Sequence, residues 1–421
     1  MNPGKTVRVA LTAMAHGGHG LGRHEGKVIF VAGGIPGEEV VAQIIEDRGL
    51  YARDRLLEVI TPSPHRIEEP RCPHFGTCGG CQWQQIAYEA QLAFKEEVVR
   101  DQLAHLGRQP KAVVKPTLGL ADPWCTRNHV QLHVGPESRL GFMDLTGRRV
   151  VPLEVCPTMH PLLGEMFDAL ELAPPSLPEV GVKRVSLRAG VNTGERMVIL
   201  ETAGDEAPEL EVEMPLSCVL LLQDGTPVSL AGSTYFHEVV GGRRFRISAG
   251  SFFQVNTAQA ERLIETVLGY LDPREGDALL DAYCGVGTFG LLLAPRVGEV
   301  IGVEESPQAL DDADQNAGTL DNVTLVEGRV EEVLPRLERV DLAILDPPRQ
   351  GMAAPAVDAL VGLGPRKIVY VSCDPATLAR DVRRLAGAGY RLVEVQPLDM
   401  FPQTYHIESV ALLVTAGGRL R

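Results

Sequence analysis

From residue 278 to residue 415 the chain alternates between two patterns. Short apolar runs ("ALLDAYC", "EVIGVEES", "VTLVEG", "DLAILDPP", "KIVYVSC") are each followed by a stretch with helical spacing. Strands that are apolar on both faces, with helices between them, bury in a parallel sheet covered on both sides. The fold class expected here is α/β, a doubly wound and mostly parallel sheet. The final runs, "RLVEVQPLD" and "ESVALLVTA", have no helix between them and read as an antiparallel pair at one edge. In such sheets ligands bind at the carboxyl ends of the strands, so the residues there carry the functional reading.

The remaining chain is organised differently. A length of 421 residues suggests roughly three domains. Residues 1–62 hold short strands between glycine-rich turns, which fit a small OB-like β-barrel, a scaffold often used for oligonucleotides. "TPSPH" at 61–65 then reads as a linker, since two prolines block both helix and ladder. Residues 63–246 form a central mixed α+β domain, with a helical pattern over 86–106 and acidic, proline-rich loops near 171–180 and 204–215. Residues 247–421 form the α/β domain. No run of about 18 apolar residues is present, which excludes a membrane-spanning helix. The N-terminus lacks a signal pattern, so a cytoplasmic, monomeric protein is expected. The net charge of −15 argues against a chain coated in nucleic acid. Residues 1–62 carry seven basic and seven acidic residues, so any grip on RNA has to be local.

Four strand ends carry chemistry. "DAYCGVGTFG" at 281–290 places Gly285, Gly287 and Gly290 as G-x-G-x-x-G between a strand and a helix, which allows close backbone approach to a ligand. Glu304, nineteen residues after Gly285, ends the next strand and suits ribose hydroxyls; both NAD and S-adenosylmethionine carry such a ribose. "LDPPR" at 345–349 ends the fourth strand of this domain. Its two prolines fix the backbone so that Asp346 points inward, where its carboxylate can accept from the ring N–H of a pyrimidine.

Cys373 ends the fifth strand, Lys367–Ser372, and Pro375 suits the first position of the following helix. A cysteine can be a small buried hydrophobe, but a thiol at a strand mouth beside Gly285, Glu304 and Asp346 suits nucleophilic chemistry. Carbon 5 of uracil is a poor nucleophile. Thiolate addition at C6 makes C5 enolate-like, able to attack a methyl sulfonium, after which a base removes the C5 proton. In "FPQTYHIESV", Glu408 is the candidate base. His406, two residues earlier, would share its face in a regular strand. A helix N-terminus lowers a thiol pKa while Asp374 opposes this, which leaves the sign of the net shift open.

Cys72, Cys78 and Cys81 form C-x5-C-x2-C. Reduced cysteines clustered in this way suggest metal binding rather than disulfides. Cys156 is the best fourth ligand, with Cys125 behind it. Zinc sites usually present two close pairs, whereas a three-plus-one pattern suits a four-iron cluster better.

Together, "SFFQVN", "DAYCGVGTFG", "LDPPR", "SCDPATLARD" and "TYHIE", in this order, resemble the RNA 5-methyluridine (uracil-C5) methyltransferase family, in its iron–sulfur branch with an N-terminal TRAM domain. The resemblance covers nearly the whole chain. It implies a class I, Rossmann-like S-adenosylmethionine methyltransferase domain behind a TRAM barrel, with the helix after the cluster packed on the catalytic domain. It implies that Gln254, Tyr283, Gly285, Gly287, Glu304 and Asp346 bind S-adenosylmethionine or the target base. Cys373 would then be the nucleophile, Glu408 the base, and Cys72, Cys78, Cys81 and Cys156 the ligands of a 4Fe-4S cluster. The implied partner is RNA, with ribosomal RNA favoured over transfer RNA because barrel and cluster occur together. Two competing readings are a non-catalytic iron–sulfur RNA-binding assembly factor, which need not keep Cys373, Asp346 and Glu408 together, and an NAD-dependent oxidoreductase, which leaves "DPPR" and the thiol unexplained.

Overall fold

The computed structural model describes residues 3–171, 181–203 and 213–415. The acidic loops expected near 171–180 and 204–215 lie largely outside the described residues. Five strands open the chain: β1 (Thr6–Met14), β2 (Gly20–His24), β3 (Lys27–Ala32), β4 (Glu39–Asp47) and β5 (Tyr51–Thr61). They close into a barrel in the order β1-β2-β3-β5-β4. Residues along β1 and β4 alternate between buried and exposed, the period-two pattern that lines one face of a strand. Val7, Val9, Ile29, Val31, Val40 and Ile44 fill the interior.

Helix α1 (Tyr88–His105) follows the cysteine-rich loop. Its Phe94, Val98, Val99 and Leu103 belong to the same core as Leu378, Val382 and Leu385 of the C-terminal domain, and each such burial stabilises by roughly 1.5–3 kcal/mol. Two polar residues share that buried face. Lys95 Nζ meets Asp399 Oδ1 at 2.5 Å, with both side chains fully buried. Gln91 Nε2 donates to Gln403 Oε1 at 3.0 Å. The helix is therefore attached to the 399–403 loop by polar contacts as well as by packing.

The central domain is built on a seven-stranded sheet. Its strands are β6 (His129–Val134), β7 (Leu140–Met143), β8 (Val150–Pro152), β9 (Val182–Ala189), β10 (Arg196–Thr202), β11 (Ser217–Leu221) and β12 (Pro227–Ala231). They run in the order β12-β11-β10-β9-β6-β7-β8. Helix α2 (Pro161–Glu171) covers one face with Leu163, Met166 and Phe167.

A hairpin, β13 (Tyr235–Val240) and β14 (Arg243–Ser248), leads to α3 (Thr257–Leu271), and the two share a core through Phe236, Phe245, Leu263 and Val267. Then come β15 (Ala278–Ala282), α4 (Thr288–Leu293), β16 (Glu299–Glu304), α5 (Pro307–Ala317), β17 (Val323–Glu327) and α6 (Val330–Val333). They are followed by β18 (Leu342–Leu345), α7 (Ala354–Leu363), β19 (Lys367–Ser372), α8 (Pro375–Gly387), β20 (Tyr390–Leu398) and β21 (Glu408–Thr415). The sheet order is β17-β16-β15-β18-β19-β21-β20. β15 to β19 are parallel, and β21 pairs antiparallel with both β19 and β20. The chain reverses its direction of growth between β15 and β18, which opens the ligand crevice expected of this architecture.

Candidate active site

A cavity of about 500 Å³ opens at the carboxyl ends of β15, β16, β18 and β19. Gln254, Tyr283, Gly285, Glu304, Asp346, Cys373 and Glu408 all line it, with Phe252 and Phe401 at its walls. Residues from six separate stretches of sequence thus meet in one pocket.

The glycine loop after β15 has three different uses for its glycines. Gly285 has φ +55, and a Cβ there would face open space, so its bareness leaves room for a ligand. Gly287 does not line the cavity. It has φ +85, and a Cβ would lie 2.6 Å from Leu291 Cδ1, so it serves the turn into α4. A Cβ on Gly290 would sit 2.8 Å from Asp281 Oδ2, and the Gly290 amide donates to that oxygen at 2.7 Å. Tyr283 adopts φ 64 without being glycine, a strained conformation typical of functional turns. The Glu304 carboxylate accepts from the Gly285 amide at 3.0 Å and from the Ser306 amide at 2.9 Å. Two backbone donors therefore hold it at the cavity wall.

Strand register brings the thiol and the candidate base together. Ser372 of β19 lies opposite Ser409 of β21. Cys373 follows the one and Glu408 precedes the other, so the two occupy the next step of the same antiparallel pair. Burial, then the nearby Glu408 and Asp346 carboxyls, push the Cys373 thiol up to about 12; Arg349 acts in the opposite sense. Burial, together with Asp346, raises Glu408 well above the usual carboxylate range. Burial raises Asp346 to about 7. The sign left open by the sequence is thus upward.

Asp374 is the N-cap of α8, and its Oδ1 accepts from the Ala376 and Thr377 amides at 2.9 Å each. The donors at that helix end are spent on Asp374. Burial opposes its ionisation, yet His16 and those amides hold Asp374 down at about 2.

His406 does not share a strand face with Glu408, because β21 begins only at Glu408. It lines an adjoining cavity of about 230 Å³ with Gly80, Gln82, Arg127 and His129. Burial, aided by Arg349, Lys95 and Arg127, lowers its pKa to about 4. Phe401 borders both cavities.

Cys72, Cys78, Cys81 and Cys156 line a third cavity with Gln84 and Arg127. Cys125 is exposed and does not border it. The Gly80 amide donates to Cys78 Sγ at 3.3 Å, and Cys156 Sγ lies 3.2 Å from Thr158 Oγ1. Burial and mutual repulsion raise the thiols of Cys72 and Cys78, the latter to about 11. Among the described residues no three His, Cys, Asp or Glu side chains converge on the geometry of a single metal ion. This loop is latched to the catalytic domain: the Gln82 and Trp83 amides both donate to the Gln403 carbonyl at 3.0 Å.

Two residues of this region carry no local signal of their role. Arg349 stands in "LDPPR", and its Nε lies 4.0 Å from Asp374 Oδ2. His16 comes from the barrel, more than 350 positions from the thiol in sequence. Among the described residues no helix is long and apolar enough to cross a membrane.

Comparison with known proteins identifies the family. The family described as "tRNA (Uracil-5-)-methyltransferase" matches residues 236–416, and the TRAM domain family matches residues 2–57. An uncharacterized RNA methyltransferase of Thermosynechococcus vestitus is 38% identical over 98% of this chain and 99% of its own length. One from Halalkalibacterium halodurans is 35% identical over 98% of each. The crystal structure of Pyrococcus abyssi tRNA (uracil-54, C5)-methyltransferase in complex with S-adenosyl-L-homocysteine superposes with a TM-score of 0.75 at 27% identity, covering 97% of this chain and 100% of that one. With relatives matched along nearly its whole length, the chain belongs to the RNA uracil-5-methyltransferase family with an N-terminal TRAM domain.

Proposed function

We propose that this enzyme transfers a methyl group from S-adenosylmethionine to C5 of an RNA uridine through a covalent bond between Cys373 and C6. The observation that carries the reading is the meeting of Cys373, Glu408 and Asp346 in one cavity, with Cys373 and Glu408 one register step beyond a paired strand position. A target base has to leave its stack to reach that depth.

S-adenosylmethionine supplies an electrophilic methyl group. The residues fit it: the Glu304 carboxylate, held by the Gly285 and Ser306 amides, accepts from ribose hydroxyls, while Gly285, Tyr283 and Gln254 border the space beside it. Asp346 engages the polar edge of the uracil. The Cys373 thiolate, formed when the thiol gives its proton to solvent before the cycle begins, adds through its sulfur to C6, which places negative charge on O4 and makes C5 nucleophilic. C5 then takes the methyl group, leaving S-adenosylhomocysteine. Glu408 removes the C5 proton, the C6–sulfur bond breaks, and the thiolate is restored. The balance is one methyl gained and one proton released.

Cys72, Cys78, Cys81 and Cys156 hold a 4Fe-4S cluster in this reading. Four thiols around one cavity, in a three-plus-one sequence spacing, favour a four-iron cluster over zinc. Arg127 on the same wall offsets the charge of the thiolates. The role is structural, because methyl transfer moves no net electrons. Iron and acid-labile sulfide in anaerobically purified protein support this assignment; stoichiometric zinc without iron removes it.

Ribosomal RNA is the substrate favoured by the pairing of TRAM barrel and cysteine loop. The full-length likeness to a transfer RNA uracil-54 enzyme favours transfer RNA as the second reading. Mapping 5-methyluridine in both RNA pools from cells lacking the gene separates them, since only the true target loses its mark.

A further inference from the structure

The barrel's contact with the catalytic domain falls beside the nucleophile. The turn between β1 and β2 is tight: the Gly18 amide donates to the Ala15 carbonyl at 3.0 Å, and the Ala15 amide to the His19 carbonyl at 2.9 Å. Gly18 is pressed between the cysteine loop and the catalytic domain. A Cβ there would lie 2.7 Å from Tyr405 Cβ, and the Gly18 carbonyl accepts from Trp83 Nε1 at 3.2 Å. This seating delivers His16 Nε2 to within 3.4 Å of Asp374 Oδ2.

Asp374 is the immediate neighbour of Cys373. The titratable and charged groups facing it are His16 from the barrel turn, Arg349 from the loop after β18 and, farther off, Arg380 of α8 and His406 ahead of β21, while its other oxygen is held by the first amides of α8. Those facing Cys373 are Glu408, Asp346 and Asp374, all acidic, and Arg349. Any group that satisfies the Asp374 carboxylate therefore relieves part of the negative potential that opposes a thiolate.

We propose that His16 is a positioning residue for the nucleophile: contributed by the RNA-binding barrel, it engages Asp374 and so ties formation of the Cys373 thiolate to the seating of the barrel. The barrel then does more than hold RNA, since part of the electrostatics of the active site is built from it. This inference rests on Cys373 being the nucleophile.

The test is the rate of iodoacetamide alkylation at Cys373, measured by peptide mass spectrometry on the anaerobic holoenzyme without RNA. His16→Ala should slow alkylation about threefold at a fixed pH below the thiol midpoint, equal to a displacement of roughly half a pH unit. His16→Gln, which keeps an N–H donor near the Nε2 position, should recover most of the wild-type rate. His16→Glu, which faces Asp374 with a second carboxylate, should be slower than His16→Ala. Cys218, buried in the wild type and away from the active-site cavity, reports any unfolding by becoming reactive. Should His16→Ala expose it, the comparison of the Gln and Glu variants decides. Equal rates at Cys373 in the wild type and all variants, or equal slowing by Gln and Glu, would overturn the proposal, the latter because it would mark lost packing rather than lost charge balance. Because no RNA is present, this outcome leaves the adduct chemistry untouched, whereas an active Cys373→Ala enzyme would remove that chemistry whatever the alkylation rates.

Discussion

Cys373 and Glu408 stand side by side although 34 residues separate them, because Ser372 and Ser409 are directly opposed in the β19–β21 ladder. The antiparallel return of β21 is what makes this possible. A further parallel strand would have presented its carboxyl end, and not its first residue, to the pocket.

The pH profile follows from their surroundings. Burial and the neighbouring carboxyls hold both Cys373 and Glu408 toward their protonated forms. In the proposed mechanism both must be anionic at their step, so activity is lost as pH falls and gained as it rises. Single-turnover methylation should still be climbing at about pH 8.5, with a slope of no more than tenfold per unit for each ionisation. A rate that peaks near pH 6 and then falls would contradict this assignment.

The two left-handed glycines should separate by phenotype. Gly287→Ala adds a Cβ at φ +85 that collides with Leu291, and should destabilise the fold by about 1–3 kcal/mol. Gly285→Ala has open space around its Cβ but lies in the cavity wall. It should be milder in stability and should weaken S-adenosylhomocysteine binding at least tenfold. Denaturant melts and calorimetric titration on both variants make the comparison.

Lys95 and Asp399 form a fully buried pair joining α1 to the loop that carries Phe401. Lys95→Met leaves the Asp399 carboxylate buried without its cation, and should cost about 3–5 kcal/mol. Chemical denaturation measures the loss. Pairing it with Asp399→Leu should recover a large part, since the penalty arises from the stranded charge.

Much of the catalytic domain was legible because its signals are local. Apolar runs of five or six residues, glycine spacing and the "DPP" and "SCDP" strand ends are each contained in a few positions. The pocket that collects Gln254, Tyr283, Gly285, Glu304, Asp346, Cys373 and Glu408 follows from the strand order, which the alternating pattern suggests only as a parallel sheet and which the fold supplies. Other features depend on distant partners. Gln91 and Lys95 of α1 are buried because Gln403 and Asp399 meet them some 300 residues later. His406 shares no strand face with Glu408 because the regular strand on which that depended begins only at Glu408. His16 carries no sign of its role, since only the docking of the barrel brings it to Asp374.

Trapping the covalent intermediate tests the account most directly. Glu408→Gln removes the proposed proton acceptor but leaves Cys373 and the proposed methyl-donor cleft in place. Incubated with S-adenosylmethionine and the substrate RNA, this variant should accumulate a protein–RNA adduct that survives denaturing electrophoresis, and Cys373→Ala introduced into it should abolish the band. If no adduct forms in Glu408→Gln while Cys373→Ala alone still methylates RNA, the thiol-addition mechanism is wrong.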